Sequence, residues 1–209
     1  MLRMPLKSGV RAQIMRKSVA RQLPEIVPHP KYGACPRPSG IELSEGEIRS
    51  GYWRYRRERI FPESVLIADT SKQNYSVFPR QYYVDILRKC QSCCRHFIFF
   101  ASEQKHWYET LGFYIDADCV LCPTCRRDSQ SLRRRVRRYS DLLRKQPLLP
   151  QDLRTLVNDG AYLFARGVLK DVSSLGHVKN QALKVLPDYA GTLMLSQLLA
   201  NARGARNAL

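Results

Sequence analysis

Two pairs of cysteines are the residues of this chain whose type and spacing are best suited to chemistry. Cys90 and Cys93 form one Cys-x-x-Cys pair, Cys122 and Cys125 form a second, and 28 residues separate the pairs. A two-residue gap lets both thiolates of a pair reach one metal ion, and two pairs complete a tetrahedral set of four zinc ligands. Four sulfur ligands leave no position for an activated water, so the pattern predicts a structural Zn²⁺ rather than a catalytic one.

Two further cysteines leave the ligand set open. Cys119 and Cys122 also form a Cys-x-x-Cys pair, and Cys94 adjoins the first pair. We expect Cys125 to be the ligand beside Cys122, because Pro123 suits both a turn and the first position of a helix. Cys94 and Cys119 are then expected to be small buried residues. The alternative is that Cys94 or Cys119 replaces one of the four ligands.

The segment after the second pair predicts an arginine-covered helix, which starts at Cys122 and runs to about Lys145. Its apolar residues recur at helical spacing, as Leu132, Val136, Tyr139 and Leu143. Nine basic and two acidic residues give residues 126–145 a net charge of +7. Metal ligands from a knuckle and from the start of a helix are typical of a treble clef, whereas two knuckles on hairpins make a plain zinc ribbon.

Composition narrows the classes of protein to which the chain can belong. An apolar fraction of 44% over 209 residues is enough for a real core and excludes a disordered polypeptide. The 35 Lys and Arg residues against 18 Asp and Glu give a net charge of +17, which favours phosphate-rich or acidic partners. A basic protein without a nucleic-acid role is the alternative.

The chain is expected to be cytoplasmic and not to cross a membrane. Its longest apolar run, residues 97–101, is far shorter than the roughly 20 residues of a membrane-spanning helix. The seven cysteines are odd in number and clustered in pairs, and no secretory leader precedes them, which favours a reducing compartment.

A second segment, residues 51–59, mixes aromatic and basic side chains. Tyr52, Trp53 and Tyr55 alternate there with Arg54, Arg56, Arg57 and Arg59. These residues could stack on nucleobases and hold phosphates. Alternatively, the three rings pack onto the zinc module and the arginines are solvated.

The whole chain is predicted to be an α+β protein in four parts. Residues 1–40 form a basic, proline-rich, flexible N-terminal segment, residues 41–81 a lead-in with short strands, residues 82–128 the four-cysteine zinc module, and residues 129–209 an α-helical region. The basic N-terminus is expected to be a flexible leader. A transit peptide or a nucleic-acid-binding arm are its alternatives.

Local patterns predict the elements around the cysteines. Strands are expected at residues 64–69, 82–87, 97–100 and 113–115, and one helical turn before the first cysteine pair is the alternative for 82–87. A helix is expected at 103–111 with Ser102 as its N-cap and Gly112 as its stop, and three or four short helices are expected after Gln151.

The order of residues around the cysteines resembles a known family. It comprises Cys90-x-x-Cys93, Phe97-x-Phe99, Glu103-Gln104, Trp107-Tyr108, Gly112-Phe113 and Cys122-x-x-Cys125-Arg126. Over residues 82–127 this order is similar to the bacterial family of probable zinc-ribbon, treble-clef-like domains. The resemblance implies Zn²⁺ bound by the four paired cysteines. One departure is Cys94, where such knuckles often have a glycine to permit a left-handed turn.

Together these observations predict a zinc-binding, non-catalytic module that contacts nucleic acid. The candidate contacts are Arg126, Arg127, Arg133, Arg134, Arg137 and Arg138 of the helix, with Arg54, Arg56 and Arg57 of the second segment. The alternative is an adaptor whose C-terminal helices dock an acidic protein. A hydrolase is a third hypothesis, although none of the four histidines stands in a metal-binding motif. The sequence does not indicate an oligomeric state.

Overall fold

The computed structural model describes residues 24–207, and side chains up to residue 204. The chain divides into two compact units, residues 1–126 and 127–209. Most of the basic segment considered as a leader or nucleic-acid-binding arm lies outside the described residues. Within residues 24–207, no helix combines the length and the apolar character that crossing a bilayer requires.

The first unit is built on an antiparallel sheet. Its elements are α1 (Glu45–Ser50), a 3₁₀ turn (Trp53–Arg57), β1 (Arg59–Ile67), a 3₁₀ turn (Thr70–Lys72), β2 (Tyr82–Lys89), β3 (His96–Phe99) and α2 (Ala101–Lys105), which continues as a π-helical turn (His106–Thr110). Among the described residues the sheet has three strands in the order β1-β2-β3. The predicted α+β class is therefore confirmed.

The pairing of β1 with β2 is interrupted by a bulge that sequence patterns did not indicate. Phe61 pairs with Asp85, but the next pair is Leu66 with Tyr83, so residues 62–65 bulge out opposite residue 84. Inside the bulge, the Ser64 hydroxyl donates to the Phe61 carbonyl at 2.6 Å and accepts from the Asp85 amide at 2.7 Å. This hydroxyl replaces the missing ladder bonds, so the pairing with β2 continues on both sides of the bulge. For this reason β1 begins five residues earlier than predicted.

The start of α2 is capped by a side chain from the sheet. The Asp85 carboxylate accepts from the Ala101 amide at 2.6 Å, and its other oxygen accepts from the Arg37 amide at 2.9 Å. Burial raises the pKa of Asp85 to about 6. The prediction that Ser102 caps this helix is wrong, because α2 begins at Ala101 with Phe100 at the N-cap position.

The chain after α2 is only partly as predicted. Gly112 ends the helical segment with a φ of +64°, a left-handed conformation that favours glycine, so its role as the stop is confirmed. The strand expected over residues 113–115 is wrong. Within residues 24–207 these residues form one isolated bridge, from Tyr114 to Asn74, whereas a strand needs a continuous partner.

An arginine lies at the centre of the first unit. Arg80 is 2% exposed, and its guanidinium donates to the Gln104 side chain at 3.1 Å and the Ile115 carbonyl at 2.9 Å. The same group lies 4.0 Å from the ring centroid of Tyr52 and 4.6 Å from that of Tyr108. Aromatic faces and neutral acceptors thus replace a carboxylate partner in the described residues.

The second unit is helical. It contains most of α3 (Pro123–Arg144), followed by α4 (Pro150–Ala165), α5 (Val172–Val185) and α6 (Ala190–Asn207). One continuous apolar cluster joins these helices, with Tyr139, Leu156, Leu163, Leu175 and Leu195 among its buried members. Asp171 caps α5 by accepting from the Ser173 and Ser174 amides. The helices predicted beyond Gln151 are therefore observed.

Candidate metal centre

The four paired cysteines meet at one point in the first unit. The Sγ atoms of Cys90, Cys93, Cys122 and Cys125 all lie within 4.8 Å of one another, and those of Cys93 and Cys122 are 3.8 Å apart. A tetrahedron with metal–sulfur bonds of about 2.3 Å has sulfur–sulfur edges of about 3.8 Å. The cluster therefore has the composition and size of a four-coordinate thiolate site.

A tight turn supplies the first pair of sulfurs. Cys90 directly follows β2. Its amide donates to the Arg95 carbonyl at 2.9 Å, and its carbonyl accepts from the Cys94 amide at 3.0 Å. These bonds fold residues 90–95 into a knuckle that leads directly into β3. Cys94 has a φ of +59°, so the left-handed position occupied by glycine in many knuckles carries a side chain here.

The start of a helix supplies the second pair. Cys122 directly precedes α3, Pro123 takes the first helical position, and Cys125 lies in the first turn. The Arg126 amide closes that turn on the Cys122 carbonyl at 2.9 Å. Proline suits this position because its fixed φ matches the helix and no amide donor is needed there. A knuckle and a helix start together form the treble clef arrangement.

The remaining cysteines lie outside the four-sulfur cluster. Cys119 is 2% exposed, and burial raises the pKa of its thiol to about 12, which suits the predicted small buried residue. Cys94 is exposed, and so is Cys35. The expectation that Cys94 is buried is wrong, because the knuckle turns its side chain outward while the sulfur of Cys93 joins the cluster.

The four clustered thiols differ in their tendency to ionise. Burial opposes ionisation of Cys90, but the backbone amides of Cys122, Cys93 and Ser92 outweigh it and lower the pKa to about 6. The backbone amide and guanidinium of Arg95 lower the pKa of Cys93. Burial raises the pKa of Cys122, and it raises that of Cys125 to about 12. A divalent cation among the sulfurs would stabilise all four thiolates at once.

An ion pair fastens α2 to the helix start that carries Cys122 and Cys125. Arg126 contacts the Glu103 carboxylate at 2.6 Å, and its guanidinium lies 5.1 Å from the ring centroid of Trp107. Trp107 in turn packs against Phe99 of β3, at 5.0 Å between ring centroids. The Glu, Trp and Arg residues of the recognised motif thus hold the elements that carry the cysteines.

Gln104, the second residue of the Glu-Gln motif, holds α2 against the sheet through its side-chain hydrogen bonds. Its side-chain amide donates to the Val84 carbonyl at 2.7 Å and the Phe99 carbonyl at 2.9 Å, which ties α2 to β2 and β3. Its oxygen accepts from Arg80. Gln104 is fully buried, so these bonds satisfy the polar groups that it brings into the core.

No sequence pattern marks His29, which nevertheless lies against the same ion pair. Its Nε2 is 3.6 Å from a Glu103 oxygen, and its Nδ1 accepts from the Lys31 and Tyr32 amides. Burial lowers the pKa of His29, although Glu103 opposes this effect. The ring also packs against Tyr32 and Phe100. We therefore assign it a packing role as a neutral imidazole.

The arginines predicted to contact nucleic acid fall into two groups. Three have internal partners: Arg126 binds Glu103, Arg138 binds Asp159, and Arg54 binds Asp118 and the Asp116 carbonyl. The others are exposed and have no ion pair within residues 24–204, namely Arg56, Arg57, Arg127, Arg133, Arg134 and Arg137.

Asp159 was also missed, although it fixes part of the arginine-rich helix. The carboxylate is 1% exposed and binds Arg138 through two bonds of 2.6 and 2.7 Å, and Arg135 through one of 2.7 Å. The bidentate geometry ties α3 to α4 within the second unit. In sequence, Asp159 resembles any polar residue of an amphipathic helix, so no pattern marked it.

Comparison with known proteins identifies the segment that holds the metal centre. Residues 84–134 match the family model of a probable treble clef domain, a segment that extends from β2 through the first half of α3. The resemblance noted over residues 82–127 is thereby confirmed. No curated protein and no solved structure matches the chain.

Proposed function

We propose that the chain is a zinc-binding, non-catalytic module that contacts nucleic-acid phosphates through exposed arginines of α3. The proposal follows from one observation above all. The helix that begins at the four-cysteine cluster continues as the most highly charged element of the chain, with a net charge of +7 over residues 126–145.

The metal part of the proposal rests on the donor set. Four cysteine sulfurs at tetrahedral spacing suit Zn²⁺, and Cys90, Cys93, Cys122 and Cys125 would hold it. The ion would cross-link the β2–β3 knuckle to the start of α3. Such a link contributes about 10–16 kcal/mol of apparent folding free energy in small zinc modules.

The arginine face of α3, defined as Arg127, Arg133, Arg134, Arg137 and Arg144, is the proposed contact surface. All five side chains are exposed, and their spacing places them on one side of the helix over about 25 Å. The opposite side of α3 packs Tyr139, Leu132 and Val136 into the core of the second unit. A rigid, packed helix therefore presents a line of guanidinium groups to solvent.

Two arginines of α3 are left out of this face for a structural reason. Arg135 and Arg138 bind the buried Asp159, so their charge is already compensated within the second unit. A phosphate would have to compete with a bidentate carboxylate for Arg138. Of the six predicted helix arginines, the proposal therefore keeps the four without an ion pair among the described residues, Arg127, Arg133, Arg134 and Arg137, and it adds Arg144.

A matched pair of variants tests the proposal. The first variant changes Arg133, Arg134 and Arg137 to Gln, and the control changes Lys170, Lys179 and Lys184 to Gln, which removes the same charge from the same unit. Binding of a fluorescent duplex of about 20 base pairs is measured by anisotropy over a series of salt concentrations. For the arginine variant we expect log K to depend less steeply on log salt, by about 2 to 3 in slope.

The control separates a contact surface from general charge. If both variants bind the duplex equally well and with the same salt dependence, the arginine face is not the contact surface. If the control keeps the wild-type slope and the arginine variant loses it, the proposal stands.

A hollow in the second unit favours an adaptor as the second candidate function. It measures about 460 Å³ and is lined by apolar Leu143, Leu148, Leu153 and Val185 beside Lys145 and Lys184. Such a surface suits an acidic partner segment with apolar anchors. The ratio of absorbance at 260 and 280 nm in protein purified at low salt discriminates the two functions, because bound nucleic acid raises it.

A further inference from the structure

We infer that the first unit carries a separate site for an unpaired nucleobase between Trp53 and Phe78, so that the ligand contacted there is a single strand. The inference rests on the proposed function for its class of ligand. It uses residues of the first unit, none of which belongs to the arginine face of α3.

The aromatic residues of the 3₁₀ turn after α1 divide between core and surface. Tyr52 and Tyr55 are buried, and their hydroxyls donate to the Asp116 carboxylate and the Tyr82 carbonyl. Trp53 between them is 62% exposed. Two rings of this segment therefore pack inward, and the indole of Trp53 faces solvent, where it is free to stack on a ligand.

A second exposed ring, from a distant part of the sequence, lies beside Trp53. Phe78 is 75% exposed, and it lines with Trp53 a hollow of about 250 Å³ whose other walls include Pro79, Arg49 and Arg56. Pockets that enclose a whole drug-sized ligand measure about 300–1,000 Å³. This hollow is smaller and suits one planar ring between two aromatic side chains.

The two segments that carry these rings are fixed side by side. The Gly51 carbonyl accepts from the Gln81 amide at 3.0 Å, so the end of α1 is bonded to the residues after Phe78. A Cβ on Gly51 would lie only 2.5 Å from the Tyr82 ring, so only glycine permits this approach. The hollow is thus preorganised, which lowers the entropic cost of binding.

Positive charge surrounds the exposed indole. The Arg54 guanidinium lies 4.9 Å from the Trp53 ring centroid and is held by the Asp116 carbonyl. A second hollow of about 330 Å³ is lined by Trp53, Arg54, Arg56, Arg57 and Glu58, and the Glu58 carboxylate is paired with Arg88. Arg56 and Arg57 have no ion pair within the described residues, so their charge is available to a ligand.

These features select a single-stranded polyanion as the occupant. Exposed rings next to uncompensated guanidinium groups match the alternation of bases and phosphates, and every base has a face that can stack. In a duplex the base faces are covered by their neighbours, and only the groove edges and the backbone are accessible. The hollow between Trp53 and Phe78 therefore discriminates for unpaired bases.

The test compares two variants on two ligands. One variant changes Trp53 and Phe78 to Ala, and the control changes Tyr75 and Val77 to Ala, which are exposed in the same unit but do not line the hollow. The ligands are a twelve-residue oligothymidylate and a duplex of equal length. We expect the first variant to bind the oligothymidylate about 10- to 100-fold more weakly, to bind the duplex unchanged, and the control to match the wild type.

A conservative variant adds a spectroscopic readout. Stacking on a base should quench the fluorescence of Trp53, whereas Trp107 is packed against Phe99 and reports the fold. Trp53→Phe should therefore keep the affinity for oligothymidylate and lose the quenching. Because it retains a ring, it also covers the case in which the double alanine variant fails to fold.

The outcomes separate this inference from the proposed function. If the double alanine variant binds oligothymidylate like the wild type, or the wild type shows no quenching, the site between Trp53 and Phe78 is refuted, whatever the arginine variant shows on duplex. If quenching occurs and the arginine variant of α3 binds duplex normally, the base site stands and the proposed contact surface falls. Binding of neither ligand overturns both.

Discussion

The two units of the chain differ in what fills their interiors. The first unit buries Arg80, Asp85 and Gln104 together with two of the four clustered cysteines, Cys90 and Cys122, and its apolar residues are spread over small clusters. The second unit has one continuous apolar cluster, with Asp159 as its buried carboxylate. The first unit therefore combines particular polar pairs with a candidate metal site, whereas the second is held together mainly by apolar area.

This difference can be measured because the two units have separate optical signals. Both tryptophans of the chain, Trp53 and Trp107, lie in the first unit, while most of the long helices lie in the second. Tryptophan fluorescence therefore follows the first unit, and far-ultraviolet circular dichroism mainly follows the second. Separate transitions are expected, since a chain of two units need not unfold in one step.

Loss of the metal ligands should have the largest effect and should be confined to the first unit. In Cys90→Ser Cys93→Ser the loss of about 10–16 kcal/mol of apparent binding energy exceeds or equals the whole stability of most domains. We expect the fluorescence transition to disappear and most of the helical signal to remain. Acidification should have the same effect, because the ligands bind as thiolates.

Metal analysis and a distant cysteine complete this experiment. Cys35→Ser, an exposed cysteine outside the cluster, should retain one equivalent of zinc and the wild-type transition. Retention of one equivalent by Cys90→Ser Cys93→Ser would show that the sulfur set has been assigned incorrectly.

Removal of the central arginine should have the next largest effect. Arg80→Met leaves the Gln104 oxygen and the Ile115 carbonyl without their donor in a buried site, so we expect a loss of about 2–4 kcal/mol. Denaturant titration should lower the midpoint of the fluorescence transition only. Arg59→Met, an exposed arginine of β1, is the control and should change neither transition. Equal effects of the two variants would contradict a central role for Arg80.

The metal site and the long helix could be predicted because both follow from local spacing. The cysteine pairs specify a tetrahedral site by their two-residue gaps, and Pro123 with the apolar period of α3 specifies where that helix begins and which side it buries. The helix ends at Arg144, one residue from the predicted end. Neither conclusion required knowledge of a distant residue.

The polar interior of the first unit could not be predicted, because each pair joins residues far apart in sequence. Asp85 caps a helix that starts sixteen residues later, and Arg80 reaches Ile115 across thirty-five residues. In sequence both look like surface residues, since charged side chains are seldom buried. The strand predicted over residues 113–115 is wrong for the opposite reason. Their local preference for a strand is clear, but no partner strand lies beside them among the described residues.

A variant of the second unit should reverse the pattern of effects. Asp159→Asn leaves Arg135 and Arg138 without their carboxylate, but Arg138 is 52% exposed and solvent can screen it. We therefore expect a loss of about 1–3 kcal/mol, less than for a pair buried at both ends. The circular dichroism transition should move to lower denaturant while the fluorescence transition stays in place.

An exposed aspartate provides the control for Asp159. Asp141 lies on α3 and has no ion pair among the described residues, so Asp141→Asn should leave both transitions unchanged. If Asp159→Asn instead shifted the fluorescence transition as far as the dichroism transition, the two units would not be separable by stability.

The smallest expected effect is a gain of stability in the knuckle of the first unit. Cys94 has a φ of +59°, where a residue with a Cβ costs roughly 1–2 kcal/mol and glycine does not. Glycine loses part of this advantage through its freer unfolded chain, so Cys94→Gly should stabilise the fluorescence transition by up to about 1 kcal/mol. Cys94→Ala removes the same thiol but keeps the Cβ, and it should leave the midpoint unchanged. A gain of equal size in the alanine variant would mean that the thiol, and not the backbone conformation, is the source of the strain.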